Sequence, residues 1–199
     1  MNIEYSYWYF KNALPHKVCD DILKVGLSKY SKLGSVGELE NNTENKSIRD
    51  SNIVWLDEMW LYKTIQPYVA EANKNSGWNF EWSITEQCQF TVYKKNQFYN
   101  WHQDSSFRKY GKNVGSLEGK IRKLSMTVLL NDPKEYEGGG FLFDLTTPED
   151  KKKNIVKAKE LTSRGSIIVF PSFIWHKVEP ITKGTRYSLV AWNCGNPWQ

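Results

Sequence analysis

Among its 199 residues this chain carries only three cysteines and three histidines. Cys19, Cys88 and Cys194 are odd in number and lack short paired spacing, which excludes a disulfide framework and a cysteine-built structural zinc site. No long apolar run is present, and the opening NIEYSYWYFKN is polar-aromatic, so nothing reads as a membrane span or a secretory core. The expectation is a soluble cytoplasmic protein with reduced thiols and no membrane partner. No repeat recurs at a fixed period, which excludes solenoids and propellers.

What is there points elsewhere. Aromatic residues make up 15% of the chain, with nine Trp and eleven Tyr, a share that suits a β-rich core and an aromatic-lined cavity. The net charge of +5 is spread along the chain, with short runs only at Lys120–Lys123 and Lys151–Lys153. That distribution reads as a solvated basic surface, and a nucleic-acid partner is not expected.

The length allows one compact domain over 1–199. Helical support is expected over about 1–78 and a β-barrel over about 79–199. Val18, Cys19, Ile22, Leu23, Val25 and Leu27 recur at helical spacing, with Gly34 as a stop. Residues 35–50 are polar and turn-rich and read as a loop. A second helical pattern covers about 57–75, with Leu61, Ile65, Tyr68 and Ala72 on one stripe and Pro67 expected to kink or split it. After Gly77 the pattern alternates: Cys88, Phe90 and Val92 share one strand face, and Gln87, Gln89, Thr91 and Tyr93 the other. Further strands are expected at 98–104, 121–130, 139–146, 166–170, 174–181 and 185–193, separated by NDP, EGGG, SRG and TKG turns. Many short strands after two helices predict an antiparallel sandwich or barrel buttressed by helices. The polar stretch 105–120 is too long for a tight turn and is a candidate lid.

YNWHQDS, residues 99–105, places His102 and Asp104 two apart at a strand end, where side chains at i and i+2 face the same way. IIVFPSFIWHKVEP places His176 beyond a strongly apolar strand, and His16 has no comparable setting. Two histidines and one carboxylate form a facial triad suited to non-haem Fe(II), with three coordination positions left open. Ten residues past His176, Arg186 and Ser188 share a strand face. A guanidinium and a hydroxyl pointing into a barrel match the carboxylate of a small diacid, although pairing of Arg186 with a structural Asp or Glu is an open alternative.

Together, TVYKKNQFYNWHQDS, RKLSMTVLLNDPKEYEGGGFLF and GSIIVFPSFIWHKVEPITKGTRYSLVAWNCG resemble the Fe(II)/2-oxoglutarate-dependent oxygenases, within them the prolyl 4-hydroxylase-like and PKHD-type hydroxylases. The resemblance covers about 49–195. It implies a mainly β fold, a double-stranded β-helix (a jelly-roll, cupin-like barrel) with N-terminal flanking α-helices. It implies that His102, Asp104 and His176 hold Fe(II), that Arg186 binds the distal carboxylate of 2-oxoglutarate, and that Tyr93 and Ser188 help hold that cosubstrate. Tyr99 and Trp192 resemble positions near the substrate, and Arg108 in the 105–120 loop is a candidate substrate contact. Leu129 departs from some animal prolyl hydroxylases, which have a tyrosine in the cosubstrate pocket. The implied activity is O2-dependent hydroxylation of a C–H bond, foremost prolyl 4-hydroxylation of a protein or peptide of the procollagen type, with ascorbate as a candidate reductant. A free amino acid or other small molecule is the nearest alternative substrate. Nucleic-acid demethylases of this kind carry a second arginine six residues after the first, where this chain has Trp192. A cupin-like isomerase or metal-binding module, and a silent scaffold, are further alternatives.

Overall fold

The computed structural model describes residues 3–29, 32–33, 46–105 and 107–198. The first half of the chain contributes β1 (Trp8–Phe10), α1 (His16–Ser28), β2 (Lys32–Leu33), β3 (Arg49–Asp50), β4 (Asn52–Leu56) and α2 (Met59–Asn75). Then come β5 (Ile84–Thr85), β6 (Cys88–Tyr93), β7 (Phe98–His102), β8 (Ile121–Leu129), β9 (Tyr136–Gly138) and β10 (Phe141–Asp144). The last quarter supplies β11 (Ile155–Lys157), β12 (Ile167–Pro171), β13 (Trp175–Val178), β14 (Ile181–Gly184) and β15 (Arg186–Gly195).

These strands form two principal antiparallel sheets. The larger runs β1-β12-β8-β15-β6-β4-β2, with β5 also on β15, and the smaller runs β11-β10-β13-β7-β3. The alternation in β6 sorts its side chains as its sequence predicts. Cys88, Phe90 and Val92 join the main hydrophobic core with α1 and α2, whereas Gln89, Thr91 and Tyr93 line a cavity between the sheets. On α1 the buried positions are Cys19, Ile22 and Gly26. Gly26 permits the closest approach: a Cβ there would fall 2.5 Å from Cγ of Phe90. Leu61, Ile65, Val69 and Ala72 of α2 fill the same core. The helices thus buttress the back of the sheet whose front carries the cavity.

Three expectations need correction. The helical-support boundary near residue 78 is too late, because β1 and β4 belong to the larger sheet and β3 to the smaller one. NIVWL, to which no element is assigned above, pairs with β6 from Asn52↔Val92 to Leu56↔Cys88. Pro67 does not split the second helix, which is continuous over Met59–Asn75. Both Pro67 and Lys63, whose carbonyl loses its partner, are exposed, a position where solvent can meet the freed carbonyl. Finally, α1 ends at Ser28, short of the expected stop at Gly34, which lies outside the described residues, as does 35–45 of the expected loop.

Candidate metal and cosubstrate site

Cross-strand register brings the site together. β7 and β13 are neighbours in the smaller sheet, and His102 pairs directly with His176, their rings 4.1 Å apart. Asp104 lies just beyond the end of β7. Its backbone N–H and that of Ser105 both donate to the Ser172 carbonyl in the Pro-Ser turn between β12 and β13. The Asp104 carboxylate then faces both rings, with Oδ1 3.7 Å from His102 Nε2 and Oδ2 3.5 Å from His176 Nε2.

The two Nδ1 atoms set the chemistry. His102 Nδ1 lies 2.7 Å from the Asn100 carbonyl and His176 Nδ1 2.9 Å from the Ile174 carbonyl. A carbonyl only accepts, so each Nδ1 carries the proton and each Nε2 turns a lone pair inward. His102, Asp104 and His176 offer one donor atom each within 4.8 Å of one another, a set able to hold a metal ion. Burial and the neighbouring His176 push the His102 ring well below its usual pKa, favouring the neutral form that a ligand requires. Burial alone would raise the Asp104 carboxyl, but His176, His102 and Arg122 outweigh it and bring it down to about 2.

The cavity's opposite wall comes from β6 and β15. Arg186 pairs with Tyr93 across the strands and is only 2% exposed. Its guanidinium lies 5.7 Å from the Tyr93 ring centroid, and Nη1 donates to Ser188 Oγ at 3.2 Å. No carboxylate among the described residues pairs with it, which disposes of the open alternative of a structural ion pair within that set. Glycine makes room for this side chain. At Gly139, where φ is +63°, a Cβ would lie 3.0 Å from Arg186 Cδ and 2.5 Å from Ile181 Cδ1. Leu129, opposite Ser188 in the sheet, is fully buried in the apolar cluster with Tyr93.

Tyr99 and Trp192 also reach the cavity, but each is packed. Tyr99 stacks on His102 at 3.4 Å between ring centroids, with Arg49 over the ring at 4.6 Å, and burial pushes its phenol up to about 12. Trp192 lies under the Arg122 guanidinium at 4.0 Å and beside Trp55 at 6.0 Å. Its buried Nε1–H has no partner among the described residues. Arg108 is exposed and does not line the cavity. Tyr110, two residues on, is the one buried, with its hydroxyl donating to Glu86 at 2.6 Å.

Two features escaped the sequence reading. Arg49 lines the cavity, donating to Ser51 Oγ at 2.8 Å and Gln89 Oε1 at 2.5 Å. Its only linear signal is one arginine in a polar run. Glu86 is a buried hub: it accepts from Arg122 through Nε and Nη2, both at 2.7 Å, from Tyr110, and from the Cys194 thiol at 3.2 Å. The pair ties the 105–120 loop to the wall that carries Trp192.

Comparison with known proteins agrees with this geometry. The family model for the 2OG-Fe(II) oxygenase superfamily matches residues 88–194, more than half of the chain. The chain belongs to that superfamily. A PKHD-type hydroxylase of Thermosynechococcus vestitus is 33% identical over 103 residues, 52% of this chain and 40% of the relative. One from Xylella fastidiosa is 31% identical over 105 residues, 52% and 42% of the two chains. The chain therefore spans about two-fifths of the length of these relatives. Among solved structures, a viral collagen prolyl hydroxylase from Paramecium Bursaria Chlorella virus-1, in complex with 2OG, superposes with a TM-score of 0.65 at 19% identity. The match covers 96% of this chain and 97% of that one. A prolyl hydroxylase from Trichoplax adhaerens, in complex with a hypoxia inducible factor peptide fragment, gives 0.69 at 20% identity, over 96% and 84%. The fold of this oxygenase is the double-stranded β-helix. No helix among its described residues is long and apolar enough to cross a membrane.

Proposed function

We propose that the oxygenase uses Fe(II), 2-oxoglutarate and O2 to hydroxylate a C–H bond, with a prolyl residue of a protein or peptide as substrate and succinate and CO2 as co-products. The observation that carries this reading is the buried Arg186, without a carboxylate partner among the described residues, in the same cavity as His102, Asp104 and His176. A lone buried guanidinium is costly unless an anion meets it. The two imidazole lone pairs and the Asp104 carboxylate likewise point at one another without a shared proton, and a cation resolves their repulsion.

In this reading His102, Asp104 and His176 hold Fe(II). Arg186 and Ser188 bind the far carboxylate of 2-oxoglutarate, and the Tyr93 ring closes that end of the pocket. When bound, Fe(II) supplies the reactivity toward O2 that couples oxidation of 2-oxoglutarate to insertion of one oxygen atom into the substrate. The protein orients these partners and excludes water: Phe141, Phe170 and Val178 give the cavity an apolar lining. The unpartnered Trp192 N–H supplies a donor for a substrate carbonyl. The solved neighbours, which are prolyl hydroxylases, support the prolyl substrate, and the names of the relatives support a hydroxylase. Ascorbate would serve as reductant, and residues 1–199 would work as one catalytic unit.

An anaerobic titration with Fe(II) and then 2-oxoglutarate tests the core of the reading. A weak visible charge-transfer band is expected. Iron binding without that band would favour a cupin-like metal module, and no iron binding would end the metal assignment. Turnover of free proline but of no proline-containing peptide would replace the polypeptide substrate with a small molecule.

A further inference from the structure

Strand alternation alone would send Arg122 into the hydrophobic core. It shares the even-numbered positions of β8 with Leu124, Met126 and Val128, and all three of those lie in the core. A bulge prevents this. In the β15–β8 pairing Asn193 faces Leu124 and the next residue, Cys194, faces Arg122, so Lys123 is the extra residue. A bulge re-aims side chains. Here it lays the Arg122 guanidinium over the indole of Trp192, a wall of the metal cavity, at 4.0 Å.

A guanidinium presents a rigid fork of donors on one edge and keeps further donors on the other. Glu86, 5% exposed in the link between β5 and β6, takes the fork. Nε donates to its Oε1 and Nη2 to its Oε2, both at 2.7 Å. That grip leaves Nη1 on the far side, where it donates to the main-chain carbonyl of Asp104 at 3.4 Å. The Asp104 N–H is already fixed on the Ser172 carbonyl. The main chain of the one carboxylate in the triad is thus held on both sides of its Cα. Glu86 also reaches Trp192 directly, its own N–H donating to the Trp192 carbonyl at 3.0 Å. Its carboxylate accepts from the Tyr110 hydroxyl at 2.6 Å, and the Tyr110 main chain is tied to Lys120 and Gly119 at the base of the loop. Asp104 and Tyr110 therefore both lead back to Glu86, one through Arg122 and the other without an intermediary.

We propose that Glu86 is a positioning residue of the metal site: by fixing the Arg122 guanidinium it holds the Asp104 main chain and the Trp192 indole in place, without itself touching metal, cosubstrate or substrate. The inference rests on the metal assignment above, and it gives a role to a residue that lies ahead of the 88–194 span matched by the family model. A ligand carboxylate swings with its main chain. Loosening Arg122 therefore widens the range of Asp104 positions and thins the population that matches the two imidazoles. Charge acts in the same direction, because without Glu86 the Arg122 cation stands uncompensated beside a site for another cation.

Anaerobic Fe(II) titration of the wild type and three variants provides the test. The Fe(II) dissociation constant should rise about ten- to a hundredfold in Glu86→Gln, the usual effect of removing support behind a metal ligand. Glu86→Asp separates position from charge: it keeps the anion but is one methylene too short for the fork, and it should weaken binding by a similar factor. Gly26→Ala strains a remote contact with Phe90 and leaves this network alone, so it should bind Fe(II) like the wild type. Visible absorption of the Co(II)-loaded proteins, which follows ligand geometry, should change in both Glu86 variants and not in Gly26→Ala. At saturating Fe(II) the half-saturation for 2-oxoglutarate should stay unchanged, because Arg186 lies on the opposite wall. Wild-type affinity and spectrum in Glu86→Gln would overturn the proposal. Normal values in Glu86→Asp alone would leave only charge cancellation and overturn it too, as would an equal loss in Gly26→Ala, which would make the effect one of global stability. If Glu86→Gln does not fold, Glu86→Asp decides by the same criteria. A wild type that binds neither metal would end the metal assignment and the proposal together, whereas a binding wild type beside unaffected variants sinks the proposal alone.

Discussion

Asp104 is the one carboxylate in a cavity that also contains two arginines and two histidines, and it is held by main-chain contacts to the Ser172 carbonyl. Replacing it by alanine removes the only anionic donor of the set. Asp104→Ala should therefore abolish 2-oxoglutarate-coupled turnover and weaken Fe(II) binding, measured by succinate release and by anaerobic titration. Wild-type turnover in that variant would disprove its role. Arg186→Ala acts at the other end of the cavity. Loss of a charge-assisted contact worth about 1.5–3 kcal/mol should raise the half-saturation for 2-oxoglutarate roughly ten- to a hundredfold. An unchanged value would show that the guanidinium does not bind the cosubstrate. At this scale the sequence was informative wherever period 2 decides the outcome. His102 with Asp104, and Arg186 with Ser188, are such pairs. It was uninformative for Arg49 and Glu86, whose burial depends on partners up to 108 residues away. Arg108 is exposed outside the cavity whereas Tyr110 is buried, a difference that nothing local in the sequence distinguishes.

At the scale of elements, the Glu86–Arg122 pair joins β8 to the segment before β6 and, through Tyr110, to the 105–120 loop. Burial alone would raise the Glu86 carboxyl, yet the Arg122 charge and the donated hydrogen bonds bring it below its ordinary value of 4.5. A depressed carboxyl contributes stability that is complete above its unfolded value and fades as the pH falls through the folded one. Wild-type stability should thus decline on acidification below about 4.5. Glu86→Gln should show a shallower acid dependence and a neutral-pH loss on the order of 3–5 kcal/mol, since it leaves Arg122 without its counter-charge. Identical pH–stability curves for the two proteins would refute this account. Gly26→Ala tests the contact between α1 and β6. The added methyl meets the Phe90 ring and should cost about 1–3 kcal/mol in chemical denaturation. A stability equal to wild type would mean that the helix can step back without loss. Both helices and the long strands were readable from hydrophobic period, whereas β3, β4 and β11 were not. They are two to five residues long, and their extended state is fixed by the partner strand more than by their own composition.

For the whole molecule, the relevant fact is that β1, β3 and β4 come from the part of the chain before residue 79 and complete both sheets. Removal of residues 1–78 should leave a chain without cooperative thermal unfolding, monitored by near-UV circular dichroism. A folded, cooperatively melting 79–199 fragment would restore the boundary expected from sequence. The overall architecture was legible because strand spacing and Gly-rich turns leave few alternatives for a β-rich chain of this size. The contribution of the first 78 residues was not, since two clear helical patterns drew attention from the brief strands beside them. One consequence concerns ancestry. The family resemblance is concentrated in residues 88–194, yet the sheet back is closed by Leu61, Ile65 and Val69, and its flank by Ile53 and Val54, all outside that span. The segment by which kinship is recognised is smaller than the segment that must fold. The solved structures superpose on 96% of the chain, so the scaffold keeps its shape where its sequence is no longer recognised.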